Sequence, residues 1–427
     1  MGITGAVVPV VVEGLVRKDP DAVFWFALRR DSAGTSIARR FEAVVATLEL
    51  EPAERNCLRA RSRLVEIDIT RTGLGMEPAL RAEIVASVDK IIHGAADVRF
   101  DQPYDAIRIP NVVFAEEVYA LFAEVRERRA AMQGEPPTLY YFSTAYAYGI
   151  HPARIPEDYP DFRPGPPDNS YARTKAEAKH FMLDKIRRLD AQILIIEPTI
   201  IGGSTTTGRT RAYHLHYLLL MLGYLGKLPF LCSPDNSLDI VPVDWVADVT
   251  SDVITRGELR QGVLRLASGA DAITVRQLHD AAYPWYVAHD PVPGHVIPKI
   301  RFVPAWTLRP MVALAKHSFR LLHAIGRVPG HRRRAKQLAM LEGYLPYVTG
   351  RKRFDNECST ALIRRHTGCG PAPRLQDLVD SDGRVVEQGY CGKILADTLA
   401  TGWGGLVDFS RVQRAGGRRR LARIPPT

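Results

Sequence analysis

Short apolar runs alternate with helical stretches over the first 250 residues, and this alternation restricts the possible folds more than any other feature. The runs are five to seven residues long, and the run at 193–196 contains only isoleucine and leucine. Such strands are typical of a parallel sheet that is buried on both faces by helices. The pattern predicts an α/β fold with strands at 22–28, 64–69, 90–95, 138–142, 192–197 and 263–267.

Helical periodicity fills the intervals between these strands and continues beyond the last one, where prolines become frequent. The clearest helical stretches are 76–88, 111–133 and 171–189, followed by 306–324 and 331–345. A loop rich in proline and aspartate is predicted at 152–167. We predict a sheet domain at 1–285, a smaller and mostly helical region at 286–410, and a disordered basic tail at 411–427.

Cysteine usage and hydropathy indicate a cytoplasmic protein with reduced thiols. The five cysteines are scattered, and no pair has the spacing of zinc ligands. The longest apolar stretch, 215–230, is interrupted by His216 and Lys227, whereas a membrane span needs about 20 apolar residues. We expect no signal peptide, no transmembrane segment and no metal site.

The positive charge lies in the C-terminal third. Residues 301–427 carry 23 Lys and Arg against 9 Asp and Glu, a net charge of +14, and the other residues carry −4. A solvated basic face, a site for a phosphate-bearing substrate and a surface for an acidic partner are all compatible with this excess. The tail from Arg411 to Arg423 contains no groove-reading motif, so we expect no nucleic-acid partner.

A threonine, a tyrosine and a lysine carry the clearest chemical signal. Thr144 follows the predicted strand 138–142, and Tyr171 and Lys175 open the predicted helix 171–189. The spacing of four residues places Tyr171 and Lys175 on one helix face. The carboxyl edge of a parallel sheet is where α/β folds bind their ligands, so this position makes a common motif informative.

These residue types suit the reduction of a carbonyl group. A carbonyl that receives hydride becomes an alkoxide and needs a proton donor. A lysine ammonium near a tyrosine lowers the pKa of the phenol, and a hydroxyl such as that of Thr144 can orient the carbonyl oxygen. We predict Thr144, Tyr171 and Lys175 as the catalytic set; the competing interpretation is a tyrosine buried on an amphipathic helix.

With these motifs in this order, the chain resembles the extended short-chain dehydrogenase/reductases over nearly its whole length. It is most similar to the fatty acyl-CoA reductase and thioester reductase branch, called male-sterility-type. This resemblance implies a Rossmann-type doubly wound parallel sheet and a dinucleotide held by several short segments. The segments are Thr4-Gly5, Asp68-Ile69, Ala95-Ala96 and Pro198-Thr199-Ile200. Asn111 matches the residue that opens a central helix in the family.

Two arginines indicate which dinucleotide is bound. Arg29 and Arg30 follow the strand predicted at 22–28, where an acidic residue would hold the ribose hydroxyls of NAD. An arginine in this place suits the 2′-phosphate of NADP. We therefore predict NADP(H) as the cofactor; a solvated turn is the simpler alternative.

The chain departs from the family at the glycine loop and at one buried position. Only Gly5 is kept, Val8 and Val11 replace the other two glycines, and Pro9 replaces an aromatic residue. Valines there are expected to crowd the pyrophosphate, because the glycines permit a tight turn and a close backbone approach. Glu197 stands where the family usually has arginine.

The leading interpretation is an NADPH-dependent reductase of a carbonyl or of an acyl thioester carried by coenzyme A or a carrier protein. Basic residues would then meet coenzyme A phosphates or an acidic carrier protein, and the stretch 213–230 would line an acyl channel. These basic residues are Arg332, Arg333, Arg334 and Lys336. The resemblance is also compatible with a homodimer.

Two other functions remain open. A hydroxysteroid-type or sugar-nucleotide dehydrogenase or epimerase would use the same superfamily fold. Ala145 and Tyr146 stand where sugar dehydratases need Asp and Glu, which argues against dehydration. A non-catalytic binding or scaffold protein is the second alternative, and it draws its support from Val8 and Val11.

Overall fold

A layer of parallel strands with helices on both sides forms the centre of the molecule. The computed structural model describes residues 1–31, 33–100, 102–149, 154–157, 167–211, 215–226, 230–232, 234–303, 306, 310, 347, 352–373, 389–410 and 412. The strands are β1 Phe24–Leu28, β2 Ser62–Glu66, β3 Lys90–His93, β4 Thr138–Phe142, β5 Arg154–Ile155, β6 Ile193–Pro198, β7 Ile200–Gly202, β8 Phe230–Cys232, β9 Ser237–Leu238, β10 Ile240–Pro242, β11 Gly262–Leu266, β12 Ile273–Thr274, β13 Arg301–Val303 and β14 Arg353–Phe354.

Helices connect these strands and cover the layer. They are α1 Val8–Lys18, α2 Ile37–Val45, α3 Pro52–Ala60, α4 Pro78–Ser87, α5 Tyr104–Arg108, α6 Phe114–Ala131, α7 Ser170–Leu189, α8 Leu215–Tyr224, α9 Val243–Arg256, α10 Val275–His289, α11 Glu357–His366 and α12 Tyr390–Gly405. Short 3₁₀ turns occupy Thr72–Gly75, Ala145–Tyr148 and Gly269–Asp271.

The strand order confirms the predicted α/β fold of the Rossmann type. Four parallel strands pair in the order β3-β4-β6-β11, and β1 and β2 form a separate parallel pair. Every residue of β4 and β6 is buried, as expected for apolar strands covered on both faces. The carboxyl ends of β3, β4 and β6 therefore meet at one edge, where the predicted catalytic residues follow β4.

All six predicted strands are present, and differences are confined to their ends and to one helix. The strand predicted at 64–69 ends at Glu66, because its partner β1 ends at Leu28. The helix predicted from Asn111 is preceded by α5 and by a π-helical turn over Ile109–Val113. The wider turn accommodates Pro110 within a longer helical segment, so the helical segment begins before Asn111.

The C-terminal region contributes two described helices to the same packing. α11 packs against β11 and α9, and α12 packs against α8 and α10. Apart from residues 306, 310 and 412, the helices predicted at 306–324 and 331–345 and the basic tail at 411–427 lie outside the described residues, as does most of the loop at 152–167. The division at 285 remains a prediction. Among the described helices, none combines the length and the apolar composition needed to cross a membrane.

Candidate active site

Thr144 lies where the chain leaves the central strand β4 for a 3₁₀ turn. Its hydroxyl accepts a hydrogen bond from the Tyr146 amide and donates one to the Pro198 carbonyl, both at 3.3 Å. The side chain is 7% exposed. Thr144 is thus held at the carboxyl edge of the sheet, next to the end of β6.

Lys175 connects α7 to this same edge. The Asn169 carboxamide caps the helix by accepting from the Ala172 amide at 2.8 Å. One turn later, Lys175 Nζ donates to the Phe142 carbonyl at 2.6 Å and to the Tyr141 hydroxyl at 3.3 Å. Burial lowers the pKa of Lys175 from its usual 10.5 to about 7.

Tyr171 lies half-buried at the start of α7. Its ring packs on Phe100 at a centroid distance of 5.4 Å, and Phe100 stacks in turn on Tyr347 at 5.2 Å. Burial raises the pKa of Tyr171, whereas the sequence had suggested a lowered value. Lys175 does not offset this rise in the pKa of Tyr171, because the Lys175 ammonium makes its hydrogen bonds with β4.

Asn111 holds the helix that carries Tyr171 and Lys175. Its Nδ2 donates to the Thr174 hydroxyl and to the Asp97 carbonyl, each at 3.0 Å, and its Oδ1 accepts from the Asp97 amide at 2.7 Å. Asn111 therefore joins the loop after β3 to α7, a positioning role that the sequence motif alone did not reveal.

A cavity of about 480 Å³ lies at the carboxyl ends of β1, β2 and β3. Six of the eleven predicted cofactor residues line it: Thr4, Gly5, Arg29, Ile69, Ala95 and Ala96. The N-terminus of α1 follows Thr4 and Gly5, and free amide groups at a helix N-terminus favour anions. The cavity fits a dinucleotide in position and chemistry.

The two valines of the glycine loop do not crowd this cavity, contrary to the expectation. Both valines belong to α1: Val11 is fully buried in the core, and Val8 is 4% exposed. A Cβ at Gly94 would lie 2.4 Å from a Val8 methyl, so Gly94 provides the space that Val8 occupies. Neither valine lines the cavity.

The other five predicted cofactor residues lie elsewhere. Arg30 pairs with Glu66 at 2.8 Å, and Asp68 is exposed and accepts from Thr70 in a local turn. Pro198 ends β6 beside Thr144, and Ile200 begins β7. Between them, the Thr199 hydroxyl donates to buried Asp239 at 2.8 Å.

Arg40 on α2 was missed by the sequence analysis. Its guanidinium donates to the Arg29 carbonyl, and both arginines line the cavity. The available signal was a second basic pair, Arg39-Arg40, one turn into the helix that follows β1.

A match to a known protein family, over most of the predicted sheet domain, identifies the family of this chain. A family model described as "Male sterility protein", an NAD-binding domain, matches residues 1–250. This chain belongs to the male sterility protein family. The resemblance seen in the sequence is thereby confirmed, and the matched residues form an NAD(P)-binding domain.

The chain covers only part of the curated proteins that it resembles. "Fatty acyl-CoA reductase 1" of Homo sapiens is 24% identical over 280 residues, which are 58% of this chain and 52% of that protein. "Hybrid PKS-NRPS synthetase ucsA" of Acremonium sp is 28% identical over 185 residues, which are 42% of this chain and 4% of the synthetase. The chain thus spans about half of the first relative and a small part of the second.

Solved structures agree with the fold. The terminal R domain from the myxalamid PKS-NRPS biosynthetic pathway has a TM-score of 0.68 at 20% identity, covering 94% of this chain and 90% of that one. A reductase (R) domain of a nonribosomal peptide synthetase from Mycobacterium tuberculosis has a TM-score of 0.61 at 16% identity, with the same coverage. At these identities the likeness shows the fold alone.

Glu197, the departure inside the family pattern, belongs to a buried cluster of charges. Glu197 forms ion pairs with Lys179 of α7 and with Arg265 of β11, the latter at 3.7 Å. Lys179 and Arg265 both donate to the Tyr148 hydroxyl, at 3.2 and 2.5 Å. Burial, and then the Arg265 cation, lower the pKa of Lys179. Glu197 thus supplies the carboxylate that faces the Arg265 guanidinium and the Lys179 amine in this buried space.

Replacing Glu197 by Ala is expected to lower the free energy of unfolding by about 3–5 kcal/mol, because it leaves a buried arginine without its carboxylate. Denaturant unfolding at pH 7 measures the change. Glu177→Ala is the matched control on α7, where a part-exposed carboxylate pairs with Arg108 and a loss below about 1 kcal/mol is expected. Equal losses in the two variants would contradict the assignment of Glu197.

Proposed function

We propose that the protein is an NADP(H)-dependent reductase of a carbonyl group or an acyl thioester. The observation that carries the proposal is the hydrogen-bonded connection of Lys175 to the end of β4, two residues before Thr144. Tyr171 lies one turn before Lys175 on α7, and the cavity lined by Arg29 and Arg40 opens at the same sheet edge. For a member of the male sterility protein family, this combination supports the reduction of a carbonyl group or an acyl thioester.

Each residue has a defined task in this proposal. A bound nicotinamide cofactor supplies the hydride. The Thr144 hydroxyl orients the substrate oxygen, and Tyr171 donates a proton to the alkoxide as it forms. Lys175, with a pKa of about 7, can accept or release a proton at neutral pH. Its anchors, Tyr141 and Phe142, fix the ammonium at the strand end.

Acyl groups on coenzyme A or a carrier protein are the proposed substrates. The support is the family and the relatives' names, together with the apolar surface of α8. Leu219, Leu220 and Gly223 of α8 line a small cavity of about 40 Å³ with α10 and Ile300. The predicted phosphate or carrier contacts at 332–336 remain part of this proposal, as do a homodimer and a cytoplasmic location.

NADP is preferred over NAD in this proposal because two arginines, Arg29 and Arg40, line the dinucleotide cavity. A guanidinium binds a 2′-phosphate bidentately. Among the residues that line the cavity, Asp97 is the acidic one that could hold ribose hydroxyls, and Asp97 is paired with Arg99.

The test is a thermal shift assay with NADPH and NADH. NADPH at 100 times its dissociation constant should stabilise the protein by about 2.7 kcal/mol, and NADH should do so less at equal concentration. Arg29→Ala should weaken NADPH binding about tenfold or more. Arg30→Ala is the matched control, because Arg30 pairs with Glu66, and should change binding little.

No shift with either nucleotide at millimolar concentration would overturn the proposal and favour the non-catalytic alternative. Equal losses in Arg29→Ala and Arg30→Ala would contradict the placement of the 2′-phosphate. The support that Val8 and Val11 gave to the non-catalytic alternative is weakened, because both side chains pack into the core.

A further inference from the structure

A short segment from the C-terminal third lies at the carboxyl edge of the sheet. β14 pairs with β5, and the Asn356 carboxamide donates to the Ala267 carbonyl at 2.7 Å, just beyond the end of β11. Arg265 of β11 donates to the Asp355 carbonyl at 3.0 Å. Residues 352–356, which we call the edge segment, are thus held at the same edge as the proposed catalytic residues.

Lys352 of the edge segment is a buried cation with acidic and aromatic partners. It is 4% exposed, and its Nζ pairs with the Asp168 carboxylate, whose side chain has no exposed surface. The ammonium also lies over the rings of Tyr146 and Tyr347, at 5.5 and 5.4 Å from their centroids. Such partners offset the loss of hydration that burial imposes on a cation. One ammonium therefore connects segments that are far apart in the sequence.

Two of these contacts reach the two halves of the proposed catalytic set. Tyr146 lies in the turn after β4, and its amide donates to the Thr144 hydroxyl at 3.3 Å. Asp168 lies three residues before Tyr171, at the amino-terminal end of α7. Lys352 thus contacts the Thr144 turn through an aromatic ring and the start of α7 through a carboxylate.

Tyr347 makes the same two connections. Its ring packs on Tyr146 at a centroid distance of 4.8 Å, and it stacks on Phe100, which packs in turn on Tyr171. Its hydroxyl accepts a hydrogen bond from Asn169, the residue that caps α7, at 3.4 Å. The ammonium and this ring therefore lie between the same two elements.

We propose that Lys352 is a positioning residue of the catalytic set, an inference that rests on the proposed reductase function. Its ammonium holds the Thr144 turn and the start of α7 at a fixed separation, so that the hydroxyls of Thr144 and Tyr171 meet one carbonyl oxygen. A displacement of about 1 Å within such a set can cost about 100-fold in rate. The C-terminal third thereby acts on the reaction without contacting the reacting atoms.

An ion pair does something here that apolar packing would not. Replacing a buried ion pair by apolar residues of similar volume is often neutral or stabilising, so stability alone does not call for Lys352 and Asp168. A charged hydrogen bond also restrains the distance and the direction between its partners. Stability and turnover should therefore respond differently when the pair is replaced.

Lys352→Met should lower the turnover of hexanal and of octanoyl-CoA by about 10–100-fold each, because both reactions use the same catalytic set. The KM for hexanal and the dissociation constant of NADPH should stay within about twofold. Lys352→Arg keeps the cation and should recover most of the turnover. Arg353→Met is the matched control, since the neighbouring Arg353 is exposed, and should change turnover less than about twofold.

Two double variants separate positioning from stability. Lys352→Met leaves Asp168 buried without its cation, so Lys352→Met/Asp168→Leu should unfold at a higher temperature than the single variant while its turnover stays as low. In a Thr144→Ala background, Lys352→Met should cost less than about threefold, because the hydroxyl that it aligns is already absent.

Three kinetic outcomes would overturn the inference. Turnover that recovers together with the unfolding temperature in Lys352→Met/Asp168→Leu would show that Lys352 acts through stability alone. A loss confined to the KM for octanoyl-CoA would show that Lys352 binds the substrate. A full loss of about 10–100-fold in the Thr144→Ala background would show that Lys352 and Thr144 act independently.

Amide hydrogen exchange without cofactor or substrate tests the connection apart from the reductase activity. Lys352→Met should speed exchange at 144–148 and at 170–175 but not in β6, whereas Arg353→Met should change none of these segments. If the parent protein reduces neither hexanal nor octanoyl-CoA, the proposed function fails for these substrates, and exchange alone decides whether Lys352 joins the two segments. Unchanged exchange at both segments would overturn the inference.

Discussion

Replacing Tyr171 by Phe is expected to reduce the turnover of carbonyl reduction by about 10²–10⁴-fold, because the variant removes the proton donor for the alkoxide. Removal of one hydroxyl leaves the ring packed on Phe100, so the fold should be retained. The dissociation constant of NADPH should change less than about twofold, since the hydroxyl acts on the reacting oxygen. Steady-state oxidation of NADPH with an acyl-CoA and with a simple aldehyde measures the effect.

Tyr140→Phe is the matched control for this substitution. Tyr140 lies fully buried on β4 within the core formed with β6 and β11, whereas Tyr171 is half-buried. The control should keep turnover within about twofold of the parent protein, because its hydroxyl is remote from the carbonyl-binding edge. A Tyr171→Phe variant that retains most of its activity would exclude Tyr171 as the proton donor.

Replacing Lys175 by Met is expected to abolish measurable reduction and at the same time to stabilise the fold. The folded protein holds the lysine with a pKa of about 7, below its usual 10.5. The unfolded chain therefore binds more protons between these two pH values, and stability rises with pH across this interval. Below about pH 7 both states are protonated, and the cost of burying the ammonium is fully present.

Lys175→Met should therefore raise the free energy of unfolding at pH 7 by roughly 2–4 kcal/mol, and the gain should shrink as the pH approaches 10. Denaturant unfolding at pH 6, 7, 8 and 9 checks both statements. Lys185→Met, on the same helix and only part-buried, is the control and should show no comparable gain. A loss of stability in Lys175→Met would mean that its bonds to Tyr141 and Phe142 outweigh the desolvation of the charge.

The sheet, and the position of the predicted catalytic residues near its carboxyl edge, were predictable because each follows from a local pattern. Continuous apolar runs such as 193–196 have few alternatives to a buried parallel strand, and β6 is buried throughout. The position of Thr144 after one strand and of Tyr171 at the next helix start then fixes which sheet edge they share.

Long-range contacts decided the features that sequence patterns could not predict. Arg29 and Arg30 are adjacent in sequence, yet Glu66 on the neighbouring strand pairs with Arg30 and leaves Arg29 to line the cavity. Val8 looked obstructive until the structure showed that its methyl group fills the space beside Gly94. Neither Glu66 nor Gly94 lies near its partner in the sequence, so no local motif records these contacts.

The buried cluster around Glu197 also limits which amino-acid substitutions the sequence can accept during evolution. An arginine at 197 would place a second guanidinium beside Arg265 and the Lys179 amine, in a space with almost no exposed surface. Arg265 also donates to the Ile155 and Asp355 carbonyls, so its loss would remove two hydrogen bonds between β11 and the β5–β14 pair. A change of charge at position 179, 197 or 265 therefore requires compensating changes at the other two positions. In homologues, these three positions should covary, and sequences in which only one of them has changed should be rare.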